Sequence, residues 1–361
     1  MKMKKIVCSF MISVVCFMTA IAGVSATSYD TSKINAAYSK VVEYYKNNNN
    51  LNNADKILAV ESLGLEAESN QFDTSSANLS STSLSKKIVT EVLLGVDPTE
   101  DKETLESQID ENGNVEGSWG ASSDVWTLYA LYVTSSEKTN LIANKLNDEL
   151  AASSVCGYEW GGTYYADYDT TGWVIEGLAI VNKEKYAATI NKAIDYIKNN
   201  TTMMTTGWIT TDNVDTQSQV LEGMFAYDTN SLLNDSYTVH PVDCLLNTQL
   251  SDGSFPSGHN AEYTTAEVAK SLGTYKNGSV FEKAKKAYDK MMNPEQPDNT
   301  KPTQPTDTKK DTQSTNKVET TNKKTTSVKT GDETNVVIFA SLSMASGGLF
   351  LVLRKEYERV H

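Results

Sequence analysis

Two uncharged, largely apolar runs, residues 6–21 and 336–353, lie near the ends of the chain, and between them apolar positions recur every three or four residues. That spacing predicts amphipathic helices over 32–45, 54–65 and 83–94. It also predicts a pair over 169–181 and 185–198, in which Ile190, Ala193, Ile194 and Ile197 share one face.

The helical pattern is punctuated by a repeated unit: a turn of glycine and an aromatic residue, a polar cluster, then an apolar helix. The four copies are Gly117-Ser118-Trp119-Gly120 before 124–131, Glu159-Trp160-Gly161-Gly162 before 169–179, Thr206-Gly207-Trp208 before 215–226, and Asp252-Gly253-Ser254-Phe255 before 263–273. Trp119, Trp160, Trp208 and Phe255 fall at intervals of 41, 48 and 47, a repeat length suited to pairs of helices. In the last three units Asp169, Asp215 and Tyr263 are each followed nine residues later by Leu178, Met224 and Leu272, so the register is kept. Asp169, Asp215 and Thr264 stand where helix N-caps are wanted, and Thr264 with Glu267 fits a capping box. The turn tryptophans are expected to pack each repeat against the next.

These units resemble the repeats of the squalene-cyclase and protein-prenyltransferase superfamily over residues 30–293, most clearly from 114 to 275. Within it they look most like the secreted bacterial branch, akin to the helical domain of cobalamin carriers. The resemblance implies an all-α fold, an α/α toroid with inner helices around a centre and outer helices around them. In such a fold the turns precede the inner helices, which gathers Asp124, Asp169, Asp215 and Tyr263 round one mouth, with Trp126, Trp173, Tyr164, Tyr165 and Tyr168 nearby. The carriers close over a corrinoid with a second, β-rich domain, and this chain has no counterpart to it.

The ends change the picture from a globular domain to a displayed one. Lys2, Lys4 and Lys5, the first apolar run, and Val24-Ser25-Ala26 read as an export signal, residues 1–26. At the other end Ser327-Val328-Lys329-Thr330-Gly331 precedes the second apolar run and a basic tail, 354–361, with Arg354, Lys355 and Arg359. The 18-residue run is just long enough to span a bilayer, and the basic tail halts export. This arrangement resembles a sortase cell-wall sorting signal (Leu-Pro-any-Thr-Gly), with Ser327 and Val328 replacing Leu and Pro. The resemblance implies transfer of the Thr330 carbonyl to peptidoglycan. If sorting does not occur, the same segment is a single-pass transmembrane helix. Residues 294–326 are rich in Thr, Lys, Asp, Asn and Pro and too poor in apolar residues to offset ordering entropy, which predicts a disordered stalk. The repeat domain is thus 27–293, outside the cell, and the membrane is met only through the C-terminal helix.

Residues 27–300 hold 19 Lys, no Arg and 39 Asp plus Glu, a formal charge of −20, which disfavours nucleic acid and anionic lipid as partners. Without Arg the domain also lacks the bidentate cations that suit diphosphate chemistry. Cys156 and Cys244 could pair in an oxidising compartment, but nothing in their spacing demands it.

Asp167-Tyr168-Asp169-Thr170 resembles the Asp-x-Asp-Asp motif of class II terpene cyclases, with Asp169 at the proton-donor position and Thr170 replacing the last Asp. A zinc site of the prenyltransferase kind would have to come from Cys156, Asp243, Cys244, His240 and His259, which lack the family's Asp-x-Cys spacing; no metal or cofactor is expected. The sequence therefore reads as a binding or adhesive module. Its ligand, a glycan, a peptide, or an apolar or corrinoid molecule, would meet Asp124, Trp126, Tyr164, Tyr168, Asp169, Trp173, Asp215 and Tyr263. The alternative is an extracellular enzyme, cyclase-like or carbohydrate-active, working through Asp169 and Asp167 or paired carboxylates with Asp215 or Glu159.

Overall fold

A computed structural model describes residues 28–68, 79–200, 214–237, 239–257 and 259–294. The export signal, the stalk beyond Pro294, the sorting motif Ser327 to Gly331, the run 336–353 and the turn at Trp208 lie outside these residues. Among the described residues no helix is long and apolar enough to cross a membrane.

The described chain is mostly helical: α1 (Ser32–Asn47), α2 (Ala54–Ser62), α3 (Ser81–Leu93), α4 (Thr99–Ser107), α5 (Ala121–Val133), α6 (Thr139–Ser153), α7 (Tyr168–Asn200), α8 (Val214–Asn234), α9 (Pro241–Leu246), α10 (Ala261–Asn277) and α11 (Val280–Met292). Short polar side chains set many of the starts, accepting from first-turn amides that have no partner inside the helix. Asn53 caps α2, Ser80 caps α3, Asn260 caps α10 and Ser279 caps α11. Thr264 consequently lies inside α10, and the expected capping box with Glu267 does not form.

Helices α7 and α8 each break once, at Asn182 and Asp228, where the backbone is extended. These residues stand thirteen past Asp169 and Asp215, and each caps the helical half that follows it. Asn182 Oδ1 accepts from the Lys185 amide at 2.9 Å and Asp228 Oδ1 from the Ser231 amide at 3.1 Å. The predicted pair 169–181 and 185–198 is therefore present, joined by a capped kink.

One element departs from the helical expectation. Strands β1 (Gly157–Trp160) and β2 (Thr163–Ala166) pair antiparallel from Gly157↔Ala166 to Trp160↔Thr163. Gly161 and Gly162, both at positive φ, make the two-residue turn between them, a conformation that favours glycine at both positions.

Six helices follow one another as neighbours: α2 packs on α3, α3 on α5, α5 on α7, α7 on α8, α8 on α10, and α10 back on α2. Close approach marks two of these contacts. A methyl group added at Gly172 would meet the Gln219 carbonyl and one at Gly223 the Gly172 carbonyl, so α7 and α8 touch backbone to backbone; Gly273 does the same to Ser62 between α10 and α2. Helix α4 packs on α3, α6 on α5 and α7, and α1 on α9 and α10. Helix α11 packs against α2, α3, α5 and α10, with Phe281 stacked on Tyr129 at 3.7 Å between ring centroids. The first and last helices are also tied by polar contacts: Lys276 Nζ to Asn35 Oδ1 at 2.9 Å, Asn277 Nδ2 to the Ser62 carbonyl at 2.8 Å, and Lys283 Nζ to Glu61 Oε2 at 2.6 Å.

The core is built from the periodic positions, among them Ile57, Ile88, Val125, Leu128, Ile175, Leu178, Leu221 and Val268, all fully buried. Each such side chain stabilises the fold by about 1.5–3 kcal/mol. Of the turn aromatics, Phe255 is fully buried, but Trp119 is 82% exposed. The expectation that Trp119 locks one repeat to the next is corrected accordingly: the Gly120 backbone, at φ 94°, leads into α5 with the indole left in solvent.

Candidate functional site

Residues four and seven positions apart project from one face of a helix. On α7, α8 and α10 the marked register positions begin such faces: Asp169, Trp173 and Glu176; Asp215, Gln219 and Glu222; Tyr263, Glu267 and Lys270. The three faces meet one another and the facing sides of α2, α3 and α5. Gln219 Nε2 donates to Glu267 Oε2 at 3.1 Å and to the Tyr263 hydroxyl at 3.3 Å. Lys270 Nζ lies 2.9 Å from Glu267 Oε2 and 3.9 Å from Glu222 Oε2. The Tyr129 hydroxyl donates to the Trp173 carbonyl at 2.8 Å and to Glu176 Oε2 at 3.2 Å. The Trp126 ring has Lys86 Nζ at 4.4 Å and Lys270 Nζ at 5.4 Å from its centroid, and the Trp173 ring at 5.7 Å. Lys86 in turn pairs with Asp55 Oδ1 at 2.8 Å.

Depth divides this assembly into two levels. Glu176, Glu222, Glu267, Lys270, Gln219, Trp126 and Tyr129 are buried, and with Phe281 they fill the interior. Asp55, Asp169, Trp173, Asp215 and Tyr263 keep part of their surface in solvent. Among the described residues, the carboxyls of Asp55, Asp169, Glu176, Asp215, Glu222 and Glu267 gather near the ammonium groups of Lys86 and Lys270. Burial of excess negative charge is costly, and Asp169, Glu176 and Glu222 respond by holding their protons more tightly.

Burial and then the charge of Asp167 push Asp169 up to about 7; Asp215 and Glu267 add to the rise, and a hydrogen bond with Thr216 opposes it. Burial likewise pushes Glu176 up to about 7, against hydrogen bonds with Ser279 and Tyr129 and the Lys270 charge. Burial raises Glu222 well above the carboxylate range, with Lys270 opposing. Asp55 goes the other way: burial would raise it, but the adjacent Lys86 ammonium outweighs that and holds it below its ordinary value. Lys270 stays protonated, because Glu267 and Glu222 outweigh the burial that would lower it.

Of the residues expected at the mouth, Asp169, Asp215, Tyr263, Trp173 and Trp126 come together. Asp124 does not. It is fully buried, accepts from Ser118 Oγ at 2.6 Å and pairs with Lys145 of α6 at 2.9 Å, so it ties α5 to its outer neighbour. Tyr164 and Tyr165 stand on the hairpin, where the Tyr164 hydroxyl donates to the Val155 carbonyl and Tyr165 stacks on Tyr158 at 5.5 Å. Tyr168 opens α7, half-buried.

The capping assignment also moves. Asp167, not Asp169, caps α7, accepting from the Thr170 amide at 3.1 Å and from Thr170 Oγ1 at 2.8 Å. Asp169 lies two residues further in, within the first turn, and its carboxyl faces the neighbouring helix, where it bonds with Thr216.

Cys156 and Cys244 are unpaired and buried, and burial raises both thiols. His240 caps α9 through Nδ1, Asp243 holds Lys33 and Tyr29, and His259 is exposed. Among the described residues no three His, Cys, Asp or Glu side chains are grouped to hold a metal. No protein-family model, characterised protein or solved structure matches the chain.

Sequence reasoning marked the first residue of each face and, on α7, Trp173 as well, and missed Glu176, Gln219, Glu222, Glu267 and Lys270 as site residues. The signal was present: Trp173, Gln219 and Glu267 lie four past Asp169, Asp215 and Tyr263, and Glu176, Glu222 and Lys270 lie seven past them.

Proposed function

We propose that residues 27–293 form an α/α toroid of the squalene-cyclase-repeat kind that works as an extracellular ligand-binding module. The closed order of helix neighbours, α2 to α10 and back, supports the toroid. The export and sorting patterns support display, with a sortase acting at Thr330 and peptidoglycan receiving the chain.

The observation that carries the binding reading is the partly exposed group of Asp169, Trp173, Asp215 and Tyr263. Inner faces from three separate stretches of sequence converge there, and the interior beneath is filled by Trp126, Tyr129, Phe281 and Lys270. A ligand would therefore meet this acidic and aromatic group at the surface and would not enter the centre. The enzymatic alternative draws on Asp169 alone, a carboxyl that holds its proton to about pH 7 and could act as a general acid.

Two experiments test this. The full chain, expressed in a Gram-positive host, is expected in the wall fraction, and Thr330→Ala is expected to release it to the membrane or medium. The same chain screened against glycan, peptide and corrinoid panels is expected to bind a ligand whose affinity drops in Asp169→Asn and Trp173→Ala. Ligand turnover abolished by Asp169→Asn would favour the enzyme, and binding indifferent to both substitutions would reject the seat.

A further inference from the structure

The last turn of α1, the loop 48–53 and the first turns of α2 and α10 border a cleft of about 300 Å³ that is open to solvent. It shares no lining residue with the group at Asp169, Trp173, Asp215 and Tyr263. Its shape is fixed from several sides. Tyr45 is buried and meets the Tyr44 ring edge-on at 5.3 Å between centroids. Asn48 Nδ2 donates to the Tyr44 carbonyl at 2.8 Å, Leu51 is buried, and Asn53 caps α2, so the loop is pinned at both ends. Asn47, Asn49 and Asn50 line the cleft and are exposed, and their amide side chains have no hydrogen-bond partner among the described residues.

The charges on the lining cancel. Lys56, its side chain 13% exposed, pairs with Glu262 Oε2 at 2.9 Å and donates to Asn52 Oδ1 at 3.3 Å, which uses two of the three ammonium donors. Burial and then the charges of Glu262 and Asp252 raise the Tyr44 hydroxyl, which therefore stays a donor. An anion would meet those two carboxylates, and a cation would meet the Lys56 ammonium. A carboxamide offers donors and an acceptor without charge, and a hydroxyl is its complement, being donor and acceptor itself. Rigid tyrosines beside adaptable amides suit a ligand with an apolar face and a polar edge. A pyranose ring has both, and a cleft at the small end of the usual range for ligand pockets, about 300–1,000 Å³, limits how much of a glycan enters.

We propose that this cleft binds a single ring of a neutral saccharide, with hydroxyls on Asn47, Asn49, Asn50 and the remaining Lys56 donor and the C–H face on Tyr44. The site is separate from the one in the binding reading above and does not depend on it. The ring can belong to the glycan of the wall or to one from outside.

The test is saturation-transfer NMR and calorimetry on the full chain at pH 7. The probes are N-acetylglucosamine, for the wall glycan, and glucose, galactose and mannose, each hexose against its uronate and its 2-amino counterpart. The proposal expects at least one neutral sugar to bind, at least fivefold more tightly than any charged counterpart, and which sugar binds identifies the source. That affinity should change less than about twofold between about 0.05 and 0.5 M salt, because no net charge is engaged. The double variant Asn49→Ala, Asn50→Ala should lose at least tenfold in affinity with its melting curve unchanged, since neither side chain is bonded within the fold. Asp169→Asn and Trp173→Ala should bind the sugar as wild type does. No neutral sugar bound, a charged counterpart bound more tightly, or full affinity in the double variant would overturn the proposal. Sugar binding lost in Asp169→Asn and kept in the double variant would sustain the earlier reading while removing this one.

Discussion

Asp169→Asn is expected to make the protein more stable in alkaline solution and to leave it unchanged in acid. In the unfolded chain this carboxyl ionises near its ordinary 3.8, whereas in the folded protein, raised chiefly by burial and by Asp167, it keeps its proton to about 7. The folded state therefore binds more protons between those values. Its contribution is complete below about pH 4, is lost as pH rises, and is gone above pH 7. At about 1.4 kcal/mol per pH unit the difference approaches about 4 kcal/mol. Asp169 retains contact with solvent, which screens the charge, so about half of that, about 2 kcal/mol, is the expected gain in the variant at pH 8.5. For a domain of this size that raises Tm by about 4–8 °C. Asn keeps an oxygen for Thr216 and removes only the charge. Urea and thermal unfolding of wild type and variant at pH 4, 6 and 8.5 measure the effect: the curves should coincide at pH 4 and separate progressively above it. If Asp169 instead caps α7, Asp169→Ala costs about 0.5–2 kcal/mol at pH 8.5 and Asp167→Ala costs nothing. That pattern, or a variant curve parallel to wild type at every pH, refutes the reasoning.

Other substitutions probe the interior and the turns. Lys270→Met removes the cation beside Glu222 and Glu267 and should cost about 3–5 kcal/mol in urea unfolding at pH 8, and less at pH 5, where Glu222, raised by burial, holds its proton. Phe255→Ala should cost about 3–5 kcal/mol, since Phe255 is fully buried, while Trp119→Ala should change unfolding by no more than about 0.5 kcal/mol. A chain of residues 27–361 should titrate as two free thiols in denaturant, and neither should react appreciably with a thiol reagent in the folded state at pH 7.

How far the sequence could be read depended on which physical signal each element leaves. Helix positions were legible because burying one face imposes a three- and four-residue spacing that other conformations do not share; Ile190, Ala193 and Ile197 are buried as that spacing predicts. The proximity of Asp169, Asp215 and Tyr263 was legible through their kept register. The charged interior was not, because Glu176, Glu222, Glu267 and Lys270 in mid-helix have the composition of a solvated face, and only convergence of several helices turns them inward. The cap of α7 was misassigned because Asp167 and Asp169 are both suitable, and the choice depends on where the first helical hydrogen bond forms. Asp124 was misplaced because the first repeat is offset from the other three, so the residue matched by type is not the residue matched by direction. The hairpin was missed because a four-residue strand leaves almost no periodic trace beside a Gly-Gly turn.

Every functional statement depends on the first helices meeting the last, since only then do the inner faces surround a common centre. Asn35 on α1 and Lys276 on α10 are hydrogen-bonded at 2.9 Å across 241 residues of chain. With both replaced by cysteine, and Cys156 and Cys244 by alanine, a short bis-maleimide should cross-link the folded monomer rapidly, giving a shifted band in denaturing electrophoresis and one linked peptide on digestion. Failure to link within the monomer, or linkage only between molecules, would mean that the helices do not close on themselves.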